Sequence, residues 1–341
     1  METGAVHYGL NRWDWRTPSA FAVEVARAEE AGFSHAFLPV NPLAVPDPYV
    51  FLAAGAAATE RMVFGPLLET PVLRPPAVAA GSIATIDAIA PGRAMLTYGV
   101  GDTAVRWLGR RPATVAELEA ACRDARRYLA GDAIDVGAAA PARLRHARPV
   151  PVWLAAGGPR TLRMAGRVAD GVFIRVGTHP ANLRVAVDAV RAGAVEAGRS
   201  LDDVDVAVIV HTASTEDPAE IRALARAMAA GFYEYSPALF DQAGFEWNGP
   251  DIEELKTQIW PDFHHAADLV AAGRLVDFLP DDVARSFSFC GSTGEIAEQL
   301  TAVLDAVPEA SIVVPHPIPT PRFGHALDHV TWFSEGVIAK L

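Results

Sequence analysis

The chain has 341 residues, longer than most single domains but a length that one α/β barrel routinely reaches. With 51% hydrophobic and 21% charged residues it holds the material for a large core and is not a disordered chain. A formal charge of -12 argues against a nucleic-acid partner or a membrane surface, either of which calls for a basic face. Only Cys122 and Cys290 are present, so neither a disulfide framework nor a metal cluster is indicated and a reducing cytoplasm fits. The start METGAVHYGLNRWDWR lacks a secretion signal, and no apolar stretch stays free of charge long enough to span a bilayer.

In chain order, Val6 to Leu10 predicts a first strand, followed by a helix to Glu30 capped by Thr17 or Ser19 and stopped at Gly32. Ser34 to Leu38 is a second strand. Asp47-Pro48 opens a helix to Ala58, Met62 to Leu67 is a third strand, and Pro75 to Ile89 a helix closed by Pro91-Gly92. Arg93 to Tyr98 is a fourth strand, followed by a glycine-bearing loop, Gly99-Val100-Gly101-Asp102, and helical stretches that run to about Leu129. Gly131 to Arg148, rich in Gly, Ala and Pro, reads as a surface excursion.

Val150 to Ala155 is the fifth strand, and Gly157-Gly158 frees the backbone to turn into a helix over Thr161 to Val168, with Pro159 where a first helical residue needs no N–H. Val172 begins the sixth strand, Asn182 to Ala197 is a helix, Val204 to Val210 the seventh strand and Pro218 to Gly231 a further helix. Phe232 to Gly294, with helical patches at Ile252 to Ile259 and Phe263 to Ala272, is an insertion. Ala310 to Val314 then gives an eighth strand and Ala326 to Lys340 a last helix. Eight strands alternating with helices select a single (β/α)8 TIM barrel over residues 1–341, with an insertion at 232–294 before the eighth strand.

In such a barrel the chemistry sits just after each strand. Ala156, Gly157, Gly158, Pro159, Arg160 and Thr161 start a helix, where unpaired N–H groups and the positive end of the dipole suit a phosphate; a plain strand-to-helix turn is the alternative. Gly99-x-Gly101-Asp102 is half of a dinucleotide fingerprint, and Asp102 suits a ligand hydroxyl or a helix cap. Glu69 and Thr70 would project into the mouth, where a desolvated carboxylate rises in pKa and serves as an acid or base, or else pairs with Arg74. His211 and His316 read as proton donors or wall residues. Tyr8, Trp13 and Trp15 are candidates to stack on an aromatic ligand. The ten histidines lack ligand spacing, so no metal site is expected.

Gly65-Pro66, Thr70-Pro71 with Arg74, Ala84-Thr85-Ile86-Asp87, Pro91-Gly92-Arg93-Ala94 leading to Gly99-Val100-Gly101-Asp102, Ala156-Gly157-Gly158-Pro159 and Ala169-Asp170-Gly171 together resemble the luciferase-like flavin and deazaflavin oxidoreductases, in the methylenetetrahydromethanopterin reductase branch. The resemblance implies a barrel for coenzyme F-420, an 8-hydroxy-5-deazaflavin, or for FMN in other branches. It implies the cofactor phosphate at Gly157-Gly158, the ring and its side chain flanked by Leu67, Leu68, Thr70 and Gly99 to Asp102, a non-proline cis peptide at Leu67–Leu68, and a homodimer. Where the family often carries an acidic residue and a histidine after the second strand, this chain has Leu38-Pro39-Val40-Asn41, so Asn41 falls on the substrate side and the substrate does not transfer.

The expectation is an F-420-dependent oxidoreductase that moves a hydride to or from a small organic substrate, with Glu69, His211 or His316 handling the proton. An FMN-dependent monooxygenase and a non-catalytic flavin-binding or interaction barrel are the alternatives.

Overall fold

The computed structural model describes residues 6–11, 16–213, 217–318 and 326–341. By internal packing the chain forms two compact units. The first comprises Met1–Ile174, Ala189–Ala207 and Ser311–Val314, and the second Arg175–Asp188, Val208–Ala310 and Pro315–Leu341.

Strands β1 (His7–Asn11), β2 (His35–Leu38), β3 (Val63–Pro66) and β4 (Leu96–Tyr98) alternate with helices α1 (Pro18–Glu30), α2 (Pro48–Ala58) and α3 (Pro76–Ile89). Thr17 and Asp47 cap α1 and α2, as their side-chain chemistry predicts. After β4 come α4 (Thr103–Trp107) and α5 (Val115–Ala130), the latter opened by a Thr114–Glu117 capping box and closed by Gly131 at φ 81°. Strand β5 (Val152–Ala156), helix α6 (Pro159–Val168) and strand β6 (Gly171–Ile174) form the βαβ unit expected there, followed by α7 (Pro180–Glu196) and β7 (Asp205–Ala213).

Next are α8 (Pro218–Tyr235), α9 (Ala238–Ala243), α10 (Ile252–Lys256), α11 (Leu269–Arg274), α12 (Asp281–Arg285) and the two-residue strand β8 (Phe289–Cys290). Helix α13 (Thr293–Ala306), strand β9 (Ala310–Pro317) and helix α14 (Ala326–Gly336) complete the order. The strand order is β3-β2-β1-β9-β7-β6-β5-β4, with β8 beside β7. Its two end strands also meet, through parallel bridges Phe64–Ala94 and Glu69–Tyr98. Parallel strands alternating with helices in this order are the (β/α)8 class.

The first unit is centred on Phe37, Phe64 and Phe173, with Phe37 edge-on to Phe173 at 5.1 Å between ring centres. Several family-like motifs prove architectural. Asp170 accepts from the Val152 N–H at 2.8 Å and from Arg126 at 2.7 Å, Arg93 reaches the carbonyls of Ala56 and Met62, and Asp87 accepts from the Gly92 N–H. Helices α6 and α7 meet backbone to backbone. A Cβ at Gly166 would overlap the Val190 carbonyl, and one at Gly193 the Arg163 carbonyl.

The second unit buries Phe240, Phe263, Phe287, Phe289 and Phe333. Three sequence expectations change here. The helix expected to stop at Gly231 runs on to Tyr235, because Phe232 is buried and extends the apolar face. The patch expected at Phe263 to Ala272 is helical only from Leu269, where Asp268 caps the Ala271 N–H at 2.8 Å. Within the insertion, β8 pairs in parallel with β7 through Thr212–Phe289 and Ala213–Cys290. Among the described residues no helix is long and apolar enough to cross a membrane.

Candidate functional site

The peptide between Leu67 and Leu68 is cis, as the family resemblance implied. The segment is stitched on both sides: the Leu67 N–H donates to the Leu38 carbonyl at 2.8 Å, the Glu69 N–H to Thr97 at 2.8 Å, and the Gly99 N–H to Glu69 at 2.9 Å. Glu69 is 0% exposed. Its carboxylate accepts from the Thr70 N–H at 2.9 Å, Arg74 Nε at 3.0 Å and the Tyr49 hydroxyl at 3.2 Å. Arg74 also pairs with Asp47 at 2.9 Å and lies 4.6 Å over the Tyr49 ring.

Burial pushes the Glu69 carboxyl up to about 7, against the pull of the Thr70 N–H, Arg74 and Tyr49. The salt-bridge reading and the raised-pKa reading therefore hold together. The expected projection into an open mouth does not, because α2 covers the carboxylate with Tyr49. Tyr98, also fully buried, has no hydrogen-bond partner for its hydroxyl among the described residues.

Around Gly99 to Asp102 the backbone packs onto this segment. A Cβ at Gly99 would stand 2.5 Å from Leu68 Cδ2, and one at Gly101, where φ is 71°, would stand 3.0 Å from Thr70 Oγ1. The Thr70 hydroxyl donates to the Val100 carbonyl at 3.1 Å. Asp102 holds the position before α4 but makes no capping bond; it pairs with Arg106 one turn on. The helix-cap role expected of it is corrected accordingly.

At the start of α6, Gly158 occupies the cap position with no side chain, Pro159 follows, and no acidic residue lies in the first turn. The first-turn N–H groups thus have no side-chain acceptor from the cap, and a Cβ at Gly158 would meet nothing within 4 Å. Ala156 is buried, Gly157 and Thr161 are half-buried, and Arg160 is exposed with no ion pair among the described residues.

On the side read as substrate-facing, Tyr8 is buried edge-on to Phe33 at 6.5 Å. Asn41 is buried as a turn residue, its Oδ1 accepting from the Leu43 N–H at 3.2 Å. Trp13 and Trp15 lie outside the described residues.

His211 and His316 belong to the second unit, their rings 5.2 Å apart. His264, from the loop between α10 and α11, brings its ring within 4.9 Å of His211. Its Nε2 donates to the Met228 carbonyl at 3.0 Å, so its Nδ1 accepts from Arg175 Nη2 at 2.9 Å. Burial, first of all, lowers the pKa of each ring: His316 to about 3, His211 and His264 well below the ordinary value. All three are neutral at pH 7. The histidine spacing in sequence indicates no metal site, and it assigns no role to His264 or Arg175. Tertiary packing, which no local pattern encodes, gathers them. Among the described residues no group of side chains could hold a metal ion.

The architecture is that of a parallel α/β barrel enzyme. The chain belongs to the luciferase-like monooxygenase family, whose profile matches residues 6–309. It is 29% identical over 294 residues to the 5,10-methylenetetrahydromethanopterin reductase of Methanolobus tindarius, covering 82% of this chain and 84% of the relative. It is 32% identical over 237 residues to the F420-dependent glucose-6-phosphate dehydrogenase of Beutenbergia cavernae, covering 58% of this chain and 64% of the relative. Among solved structures, the coenzyme F420-dependent tetrahydromethanopterin reductase from Methanopyrus kandleri shares the fold, with a TM-score of 0.78, 24% identity and 99% of both chains covered. The oxygenating constituent of 3,6-diketocamphane monooxygenase from Pseudomonas putida, in complex with FMN, shares it at a TM-score of 0.63 and 16% identity.

Proposed function

We propose that this protein is a coenzyme F420-dependent oxidoreductase that transfers a hydride between the deazaflavin and a C=N, C=C or C=O centre of a small organic substrate. The observation that carries the reading is the open start of α6, framed by Gly157 and Gly158, in a chain whose relatives include F420-dependent enzymes. The chain offers what such a cofactor requires. A helix N-terminus with unspent N–H groups suits its phosphate. The Gly99 and Gly101 backbone, too close to Leu68, Thr70 and Val105 for any Cβ, gives a side-chain-free wall for a flat ring.

When bound, the deazaflavin supplies the hydride chemistry. The chain's residues bind and orient. Ala156 to Thr161, with Arg160 adding a charged donor, hold the phosphate; Leu67, Leu68, Thr70 and Gly99 to Asp102 flank the ring and its side chain. Glu69, protonated over much of the neutral range, is a positioning residue that ties Thr70 to Tyr49 and Arg74. His211, buried, and His316, half-buried, both neutral, are the candidates to move a proton. Tyr8, Trp13 and Asn41 remain the candidates for the substrate side.

Titration with F420 and with FMN, followed by fluorescence, tests this in the wild type and in Gly158→Asp. Gly158 has φ -84° and open space at its Cβ, so aspartate fits there and even caps α6, while its charge opposes a phosphate. The expected outcome is tight F420 binding weakened at least roughly tenfold in a variant that melts no lower than the wild type. Selective FMN binding would instead assign the monooxygenase branch, and no binding of either would overturn the cofactor reading.

A further inference from the structure

Arg175, directly after β6, is a half-buried cation that pairs with no acid among the described residues. Its one hydrogen bond among the described residues is Nη2 to His264 Nδ1 at 2.9 Å. The guanidinium carbon lies 5.5 Å from the Phe232 ring centre and 5.3 Å from that of Tyr235. Other cations of the same unit do have carboxylates: Lys256 with Glu234 and Arg226 with Asp281, both at 3.3 Å, and Arg285 with Glu295 at 3.6 Å. The carboxylate beside the histidines, Asp262, is engaged by His265 Nδ1 at 2.7 Å and by the His264 and His265 N–H groups.

The groups in contact with Arg175 among the described residues, namely His264, Phe232 and Tyr235, are uncharged. His264 cannot balance it, since its Nε2–H is committed to Met228 and its Nδ1 only accepts. His211, 7% exposed, has a buried Nδ1 with no hydrogen-bond partner among the described residues. A guanidinium carries five N–H donors in a planar fork that matches an oxyanion, and here most are unspent beside aromatic rings that compete poorly with water as acceptors. A ring environment also lowers the local dielectric, which strengthens the attraction to an anion that enters it.

We propose that Arg175, oriented by His264 and faced by His211, is an oxyanion-recognition site for the carboxylate or phosphate group of a small organic ligand. The anion supplies the charge that the surrounding side chains do not. Tyr235 and Phe232 hold the guanidinium flat, and the unpaired Nδ1 of His211 is a further polar contact, as donor or acceptor according to its tautomer. The site shares His211 with the proposed proton-handling pair, but none of its residues belongs to the Gly99–Asp102 or Ala156–Thr161 segments proposed to seat the cofactor.

The test uses the purified chain without flavin, titrated at constant ionic strength with inorganic phosphate in one arm and acetate in the other. Imidazole resonances of His264 and His211 are followed by NMR. Expected is a saturable shift of both resonances in at least one arm, with the stronger arm naming the anion. Arg175→Met, with near-UV circular dichroism as the fold check, is expected to weaken that binding at least roughly tenfold, and Arg175→Lys to restore part of it. The absence of a saturable shift in the wild type for both anions overturns the proposal whatever the variants do. Equal saturation in a folded Arg175→Met does so too, leaving Arg175 a packing residue on the two rings.

Discussion

Glu69 in the first unit and His211, His264 and His329 in the second are buried, His316 is half-buried, and desolvation drives each toward its uncharged form. The consequences have opposite sign. An acid is held protonated up to about 7, while His316 is held neutral down to about 3 and His329 to about 4. They differ also in how they are closed. Glu69 has a partner on every side, in Thr70, Arg74 and Tyr49, and so reads as a finished piece of architecture. The histidine cluster leaves the guanidinium of Arg175 unbalanced, and so reads as a place where something binds. Perturbed titration alone does not distinguish structure from function; the completeness of the partner set does.

The largest effect that could break this contrast comes on acidification. A base whose folded pKa is depressed stabilises the fold above its unfolded value, and that stability is lost as pH falls toward the folded pKa. By pH 4, His316 and His329 are each expected to have withdrawn about 3 kcal/mol, with His211 and His264 acting in the same direction. Against a typical total of about 5 to 15 kcal/mol, this is enough to open the second unit. Hydrogen exchange read by mass spectrometry between pH 7 and pH 4 is expected to lose protection first around residues 208–310 and 326–341. Loss beginning instead near His35, the one first-unit histidine lowered as far as about 4, would reverse the assignment.

The next effect runs the other way. Glu69, with its folded pKa raised, stabilises the fold fully below about pH 4.5, and this contribution is lost as pH rises through about 7. Urea unfolding of the wild type is expected to lose on the order of 3 kcal/mol from this group between pH 5 and pH 8, and Glu69→Gln to flatten that slope. An unchanged slope in the variant would place the titration elsewhere. The smallest effect sharpens the same point: Arg74→Met removes a group that pulls Glu69 down, so the carboxyl pKa, followed by carbon-13 NMR, is expected to rise by about one further unit.

Much of the scaffold was legible in the sequence because it follows from local rules. Thr17, Asp47 and the Gly157-Gly158-Pro159 turn carry their cap and turn chemistry in the residues themselves, and the alternation of apolar runs with helices gave the barrel class. The cis peptide at Leu67–Leu68 came from family resemblance and not from residue chemistry. The histidine site was not legible. His264 lies in a loop whose neighbours in sequence say nothing about His211 or Arg175, which reach it from other elements. Asp102 shows the converse failure, since its type and position both suit a cap, yet a nearby arginine on α4 competes for the carboxylate and takes it.

The glycine-to-glycine seam between α6 and α7 carries a lesson for anyone who would engineer this chain. Replacing helical glycines with alanine is an ordinary route to added stability. At Gly166 and Gly193 that route is closed, because each new methyl would land on the opposite backbone. The two positions act as a bearing on which α6 is mounted, so a graft of the α6 turn from a relative keeps its aim only if both glycines travel with it.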